Sequence, residues 1–348
     1  MKLSEIKITP LLNTLRFTKI SDDVYFSEKY SNYISNSRLS LLAKTPENPD
    51  RFFEGIKMGY DNISSLQRGS ALHELVLQPD LFYMTTINKP SGKTGVMADE
   101  LYQSSGRFPT FQEMKSASKK IGFYKATFNS VRAESLKNSC KEYWRSRSEY
   151  EHSSEFIHND KTPIYLDEKS RDLVNSCVYK LGKDENIQKL LHPDLDEKYI
   201  GNEQAILLNL KIECPEIEPF CLRLKAKLDN YSLDPLTNTI TVNDVKTTGQ
   251  PIQFFSSAIK NFSYNREIAM YSYLLGFVAK KFYGFNKPEL QGNFLVVEMG
   301  NDFDTKVYPM TTDLFQTGFN QFKHLLKLVA FYCTLPEYEG FREELIDI

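Results

Sequence analysis

A run of nine residues at positions 221–229, Cys-Leu-Arg-Leu-Lys-Ala-Lys-Leu-Asp, alternates polar and apolar side chains. This alternation predicts a β-strand, because successive side chains on a strand point to opposite faces of the sheet. One face then carries Arg223, Lys225, Lys227 and Asp229. Such a face is suited to neutralising a nucleic-acid backbone, and we expect its cations to line a positive groove. A solvated strand face is the alternative interpretation.

A second polar pair lies in the stretch at 242–246, Val-Asn-Asp-Val-Lys, which places Asp244 and Lys246 on one face of another strand. If the two strands form a hairpin, Asp229 and Asp244 meet near one edge with Lys246 beside them. Carboxylate oxygens suit Mg²⁺ or Mn²⁺, and such an ion lowers the pKa of its bound water. A lysine can orient or deprotonate that water, or offset charge on phosphorus. An ordinary surface Asp–Lys pair is the alternative.

In combination with other segments, these stretches resemble the PD-(D/E)xK nuclease superfamily, and more closely the phage and prophage exonucleases of the exonuclease VIII (RecE) type. Those enzymes have a basic, a small and a basic residue before Asp, then a short loop and an Asp-x-Lys-Thr-Thr strand. Residues 68–82, Arg-Gly-Ser-Ala-Leu-His-Glu-Leu-Val-Leu-Gln-Pro-Asp-Leu-Phe, resemble the family's upstream helix. Residues 265–271, Asn-Arg-Glu-Ile-Ala-Met-Tyr, stand at its Gln-x-x-x-Tyr motif. The resemblance covers about residues 30–85 and 165–330.

The resemblance implies a metal site with three side-chain ligands. His73, Asp229 and Asp244 would bind the ion, the carbonyl of Val245 would complete the set, and Lys246 would be the catalytic lysine. Mg²⁺ or Mn²⁺ is the implied cofactor. For His73 the plain alternative is a helical histidine of the core or surface, since its neighbours are largely apolar.

Four further positions are implied less directly. Glu267 replaces the family's usual Gln, so it can approach the metal or accept a hydrogen bond. Tyr271 follows one helical turn later on the same face, a spacing that also fits ordinary packing. Glu203 stands where the family has an acidic strand residue, and a structural part is equally open. Arg68 is a candidate phosphate clamp, with a helix-start ion pair as the alternative.

The wider pattern predicts an α/β (α+β) fold. We expect a PD-(D/E)xK, restriction-endonuclease-like core with a mixed central sheet of about five strands flanked by helices. The predicted strands cover residues 203–210, 220–228, 239–246, 293–299 and 304–310. The predicted helical stretches cover residues 111–150, 166–191, 250–283 and 312–332.

The first 85 residues indicate broken helices, with Ser35 and Ser70 as N-caps. Residues 88–110, rich in Gly, Ser and Pro, indicate a loop or mobile segment. We therefore predict an N-terminal helical region, residues 1–160, with a mobile insertion near 90–150 and with His73 contributed to the site. Residues 161–348 form the predicted nuclease core, and both regions belong to one compact nuclease domain.

Composition excludes several classes of protein. The 348 residues have 43 Lys+Arg and 45 Asp+Glu, a net charge of −2, with 41% hydrophobic residues. These values argue against a disordered chain and against a protein that coats nucleic acid by bulk charge. Five cysteines without a CxxC pair give no support for a zinc ribbon or an iron–sulfur cluster. No stretch approaches the ~18 apolar residues of a membrane span, so we expect a cytoplasmic protein (the host cytoplasm if phage-encoded) and no membrane partner.

The resemblance implies a metal-dependent exonuclease that degrades duplex DNA from its ends. It also implies a partner, a single-strand annealing protein that takes part in phage-type recombination, and a ring-like homo-oligomer. Three alternatives stay open. The same core can act as an endonuclease, the chain can bind DNA ends without catalysis, or the substrate can be RNA.

Overall fold

The computed structural model describes residues 2–55, 63–105, 109–123, 128–157, 159–215, 217–300, 302–343 and 345. Within them the strands are β1 (Lys7–Lys19), β2 (Phe82–Met84), β3 (Thr162–Ile164), β4 (Ile200–Cys214), β5 (Ile217–Asp234), β6 (Thr239–Thr248), β7 (Glu289–Glu298) and β8 (Thr305–Pro309). The α-helices are α1 (Asp22–Tyr25), α2 (Asn36–Lys44), α3 (Asp50–Glu54), α4 (Ile63–Leu77), α5 (Gly92–Ser105), α6 (Phe111–Ile121), α7 (Ser130–Glu151), α8 (Ser154–Ile157), α9 (Glu168–Lys183), α10 (Glu185–Leu191), α11 (Phe255–Asn261), α12 (Tyr264–Tyr283) and α13 (Thr312–Tyr332). Short 3₁₀ helices cover Leu3–Glu5, Glu28–Tyr30, Glu197–Tyr199, Ile252–Phe254 and Pro336–Phe341.

The chain divides into two compact units. The first comprises Met1–Lys57, Leu181–Glu298 and Asp304–Ile348, and the second comprises Met58–Lys180 and Met299–Phe303. Among the described residues, none of the helices combines the length and apolar character that crossing a membrane requires.

A six-stranded mixed sheet organises the first unit, in the order β1-β4-β5-β6-β7-β8. Only β6 and β7 run parallel, and the other neighbouring pairs are antiparallel. The predicted mixed sheet is therefore confirmed, but the expected count of about five strands is wrong. The additional strand is β1, in a region that the sequence suggested was helical. A register shift between Leu11 and Arg16 explains the error, because it changes which alternate residues face inward and so obscures the period of two.

Two further helical predictions are confirmed. The stretch at 312–332 is α13, and the stretch at 166–191 is α9 and α10, separated at Asp184, whose carboxylate caps α10. Buried residues of α12, such as Leu274 and Val278, join the core of the first unit together with α13. Gly318 of α13 permits a close approach to α12, because a Cβ there would lie 2.4 Å from the carbonyl oxygen of Asn265.

The second unit is helical, with a small parallel pair of strands, β2 and β3. The helical prediction for 111–150 is confirmed by α6 and α7, whereas the loop predicted at 88–110 is wrong because α5 occupies Gly92–Ser105. Buried Met97 and Leu101 lie one turn apart on α5, and their burial outweighs the low helix propensity of the surrounding Gly and Ser residues. The cap predicted at Ser70 is also wrong, since α4 runs through it, while Ser35 does cap α2.

Candidate active site

The hairpin of β5 and β6 opens at one defined point. Their backbone pairing runs from Asp234 opposite Thr239 to Asn230 opposite Asn243, and it ends there. At the next position the side chain of Asp229 continues the contact, because its Oδ2 accepts a hydrogen bond from the backbone N–H of Val245 at 2.8 Å. The carboxylate of Asp229 is therefore fixed by the neighbouring strand, beside Asp244.

Lys246 lies between two carboxylates. Its Nζ donates to Asp244 Oδ1 at 2.9 Å and lies 2.7 Å from Asp244 Oδ2 and 3.4 Å from Glu267 Oε2. Glu267 comes from α12, one turn before Tyr271, whose hydroxyl donates to Glu267 Oε1 at 3.1 Å. Glu267 is thus both an ion-pair partner of Lys246 and a hydrogen-bond acceptor of Tyr271.

The electrostatics of this cluster favour an added cation. Burial raises the pKa of Asp229 to about 7, against the attraction of Lys246. Burial likewise raises the pKa of Asp244 to about 8, with Lys246 opposing the shift and Asp229 adding to it. Burial lowers the pKa of Lys246, but the carboxylates of Asp244, Glu267 and Asp229 outweigh it, so this pKa is well above its usual value. One ammonium therefore does not offset the buried acidic groups around it.

Glu203 faces Asp229 across β4 and β5. The flanking pairs, 202 with 230 and 204 with 228, place it directly opposite, and a carboxylate oxygen of each lies within 4.8 Å of the other. Glu203 has a φ of 53°, a left-handed backbone that costs a non-glycine residue about 1–3 kcal/mol. Lys227 holds its side chain, with Nζ 2.6 Å from Glu203 Oε2 and 2.5 Å from Asp22 Oδ1.

A row of asparagine side chains crosses the opposite face of the sheet. Asn230 donates to Asn202, Asn243 donates to Asn230, and Asn293 donates to Asn243, over 2.7–2.9 Å. Asn230 and Asn243 also donate to the carbonyls of residues 191 and 190, at the end of α10, where a helix leaves its last carbonyls unpaired. This asparagine row was not recognised in the sequence. The signal was present, because an Asn stands next in sequence to each of Glu203, Asp229 and Asp244.

No protein-family model and no curated protein matches this sequence. Among solved structures, the chain is similar to the crystal structure of a "Putative exonuclease" from Eubacterium rectale. The TM-score is 0.32 and the sequence identity 10%, over 84% of this chain and 92% of that chain. A likeness this distant carries no functional inference, so the function must be inferred from the geometry of the site.

The cations predicted to bind DNA have protein partners in the structure. Arg223 lies 2.7 Å from Glu343, and Lys227 is shared by Asp22 and Glu203. Lys225, with 7% of its surface exposed, donates to the carbonyl oxygen of Tyr25 at 2.8 Å. The alternation of β5 thus produces a polar face whose cations have acceptors within the same unit, and their contact with DNA stays a prediction.

The remaining predicted residues are distributed between the two units. The first unit brings together six of the residues singled out in the sequence: Glu203, Asp229, Asp244, Lys246, Glu267 and Tyr271. Val245, which stands between Asp244 and Lys246 in the sequence, is buried. The role of its carbonyl as a metal ligand stays a prediction. His73 and Arg68 are half-buried residues of α4 in the second unit, and their roles also stay predictions.

The carboxylates of the first unit are donors of the type that suits a hard divalent cation. Glu203, Asp229 and Asp244 supply carboxylate oxygens, the ligands that Mg²⁺ and Mn²⁺ prefer. Asp244 has only 3% of its side chain exposed, and its Oδ2 is paired with the Lys246 ammonium at 2.7 Å. Because Lys246 is shared by Asp244 and Glu267, an added cation would reduce the excess negative charge of these buried carboxylates.

Proposed function

We propose that the protein is a metal-dependent nuclease of the PD-(D/E)xK type, with Mg²⁺ or Mn²⁺ as cofactor. The observation that carries this proposal is the meeting of Asp229, Asp244 and Lys246 where the β5–β6 pairing ends. These residues come from neighbouring strands, so their relative positions are set by the sheet itself. Rigid placement of this kind is what catalysis of a phosphoryl transfer requires.

Each residue has a defined part. Asp229 and Asp244 hold the cation, with Glu203 as a further carboxylate. When bound, Mg²⁺ or Mn²⁺ would polarise the phosphate and lower the pKa of its bound water. Lys246, an ammonium between Asp244 and Glu267, donates hydrogen bonds, so it orients the attacking water or offsets charge at the phosphorus. Tyr271 keeps Glu267 in place by donating to it.

The finer proposal is an exonuclease acting on duplex DNA ends. It rests on the resemblance of the sequence to exonucleases of the RecE type, which also assigns His73 as a ligand and suggests an annealing protein as partner and a ring-like homo-oligomer. Arg223, Lys225 and Lys227 remain the proposed DNA contacts, and each would have to share its present protein partner with a phosphate.

The test compares a linear duplex with a covalently closed circle, each in Mg²⁺ and in EDTA. We expect Mg²⁺-dependent degradation of the linear form alone. Asp244→Asn and Lys246→Ala should lower the rate by at least two orders of magnitude, because each removes a group that stabilises the transition state. The matched controls are Asp194→Asn and Lys189→Ala, both at exposed positions of the same unit.

Two outcomes would change the assignment. Cleavage of the closed circle would establish an endonuclease on the same site. Full activity of Asp244→Asn or Lys246→Ala, with the controls unchanged, would rule out the proposed site altogether. Binding of linear DNA without any product, in Mg²⁺ or in Mn²⁺, would instead support a protein that binds DNA ends without catalysis.

A further inference from the structure

An exposed aromatic ring stands beside the proposed catalytic lysine. The side chain of Phe262 is 64% exposed, and its ring centroid lies 5.6 Å from that of Tyr264. The ring of Tyr264 in turn lies 5.1 Å from Lys246 Nζ. Tyr264 is fixed from within, since the rings of Phe255 and Phe294 pack against it at 6.0 and 6.2 Å. Phe262 is therefore the outer member of a supported aromatic pair at the edge of the site.

The backbone between the two rings is unusual. Ser263 joins α11 to α12 with φ 55° and ψ 38°, a left-handed conformation that a non-glycine residue adopts at a cost. This residue lies between one ring that is packed inward and one that faces solvent. Strained residues of this kind are concentrated at functional sites, and scattered exposed rings elsewhere on a surface need no such support.

We propose that Phe262 stacks on an unpaired nucleobase of the DNA strand whose phosphodiester bond is cleaved. This inference rests on the proposed nuclease function and specifies its substrate as DNA with frayed or single-stranded ends. The distances from Lys246 Nζ to the ring of Tyr264 and from that ring to the ring of Phe262 are 5.1 and 5.6 Å, which together equal about three base-pair rises of about 3.4 Å. A base within a few nucleotides of the scissile phosphate can therefore reach the ring.

The chemistry of stacking explains the expected preference. Every nucleobase offers a π-face, so an aromatic residue binds it without regard to sequence. A base inside an intact duplex has both faces covered by its neighbours, so only an unpaired base is available. Stacking adds an attraction for DNA that does not depend on the cations of β5, each of which has a protein partner.

The test uses Phe262→Ala, Phe262→Trp and the control Phe282→Ala. Phe282 is 50% exposed and lies on α12 near its other end, about 27 Å from Tyr264 at 1.5 Å per residue. The probe is a duplex with a three-nucleotide single-stranded extension that carries 2-aminopurine. Ca²⁺ replaces Mg²⁺ so that binding is measured without turnover.

We expect wild type, Phe262→Trp and Phe282→Ala to bind the extended duplex alike and to quench its fluorescence. Phe262→Ala should bind it roughly tenfold more weakly and lose the quenching. For a fully paired blunt duplex, the same variant should differ from wild type by less than about twofold. Equal affinities of Phe262→Ala and Phe282→Ala for the extended duplex, with quenching retained, would overturn the inference.

A Mn²⁺ titration separates this inference from the proposed function. If wild type binds Mn²⁺ and Asp244→Asn does not, while Phe262→Ala behaves as wild type toward both duplexes, stacking is wrong and the nuclease site stands. If wild type binds no Mn²⁺, the proposed function fails, and the quenching of 2-aminopurine by metal-free protein still decides whether Phe262 stacks on DNA.

Discussion

The carboxylate of Asp229 accepts a hydrogen bond from the backbone N–H of Val245, the residue between Asp244 and Lys246 in the next strand. One proposed ligand is thus held by the strand that carries the other. Placement of Asp229 depends on hydrogen bonding, whereas its contribution to metal binding depends on charge. Substitutions that remove one property and keep the other can separate the two.

Asp229→Asn keeps an oxygen that can accept from Val245 and removes the charge, whereas Asp229→Ala removes both. We expect both variants to lose Mn²⁺ binding by calorimetry. In urea unfolding without metal, Asp229→Ala should be less stable than Asp229→Asn by about 1–3 kcal/mol, the cost of a buried N–H without an acceptor. Equal stabilities would contradict the importance of this hydrogen bond.

Substitutions of Lys227 can distinguish a structural role of this residue from a role in DNA binding. Lys227→Met leaves Glu203 without its cation beside Asp229, so we expect lower stability in metal-free urea unfolding, with Lys227→Arg restoring most of it. If Lys227 also neutralises a phosphate, as the sequence predicts, the slope of the logarithm of the DNA affinity against the logarithm of salt concentration should be smaller by about 1 in Lys227→Met. An unchanged slope would limit Lys227 to the structural role.

Asn243 takes part in three hydrogen bonds of the asparagine row, to Leu190, Asn230 and Asn293. Asn243→Leu should lower the free energy of unfolding by about 2–4 kcal/mol, because it leaves several buried polar groups unpaired. We also expect weaker Mn²⁺ binding, since the row fixes the register of the strands that carry the carboxylates. The control Asn320→Ala, at an exposed position on α13, should change neither quantity. Unchanged Mn²⁺ affinity in Asn243→Leu would limit the row to stability.

Lys225 should produce a pH dependence of stability. Burial, and then the Arg38 guanidinium, lower its pKa to about 8, below the ordinary 10.5 of the unfolded chain. Between these values the unfolded state binds more protons, so the stability that Lys225 contributes increases as pH rises. Relative to Lys225→Met, wild type should gain up to about 3 kcal/mol between pH 7.5 and 10.5 in urea unfolding. A constant difference would show that Lys225 titrates normally.

Much of the sheet was predictable because residues 221–229 of β5 alternate polar and apolar side chains, and Asp244 and Lys246 of β6 are two residues apart. The same period placed Asp229, Asp244 and Lys246 on one face, which the structure brings together. The partners of the β5 cations were not predictable. Asp22 lies 205 residues from Lys227, and Tyr25 lies 200 residues from Lys225, so only the tertiary fold reveals these contacts.

β1 and α5 were missed for a different reason. In β1 the register shift between Leu11 and Arg16 changes the inward-facing set within one strand, and no window of constant period covers it. In α5 the Gly and Ser residues favour a loop locally, while the burial of Met97 and Leu101 depends on α6 and α7 packing against them. Both errors arise where tertiary packing outweighs the local sequence signal.

In β5 and β6 an asparagine of the amide row stands directly next to each carboxylate of the site, Asn230 to Asp229 and Asn243 to Asp244. This arrangement limits which insertions and deletions the hairpin can tolerate. Removing one residue of β5 just before Asp229 would turn every later side chain of the strand to the other face. Asn230 would then take the position of Asp229 in the acidic cluster, Asp229 would turn to the opposite face, and Tyr231 would take the place of Asn230 in the amide row. Both the support of the sheet and the proposed cation site would be lost in one event. The turn at 235–238 lies outside both sets, so its length can vary without exchanging the two faces.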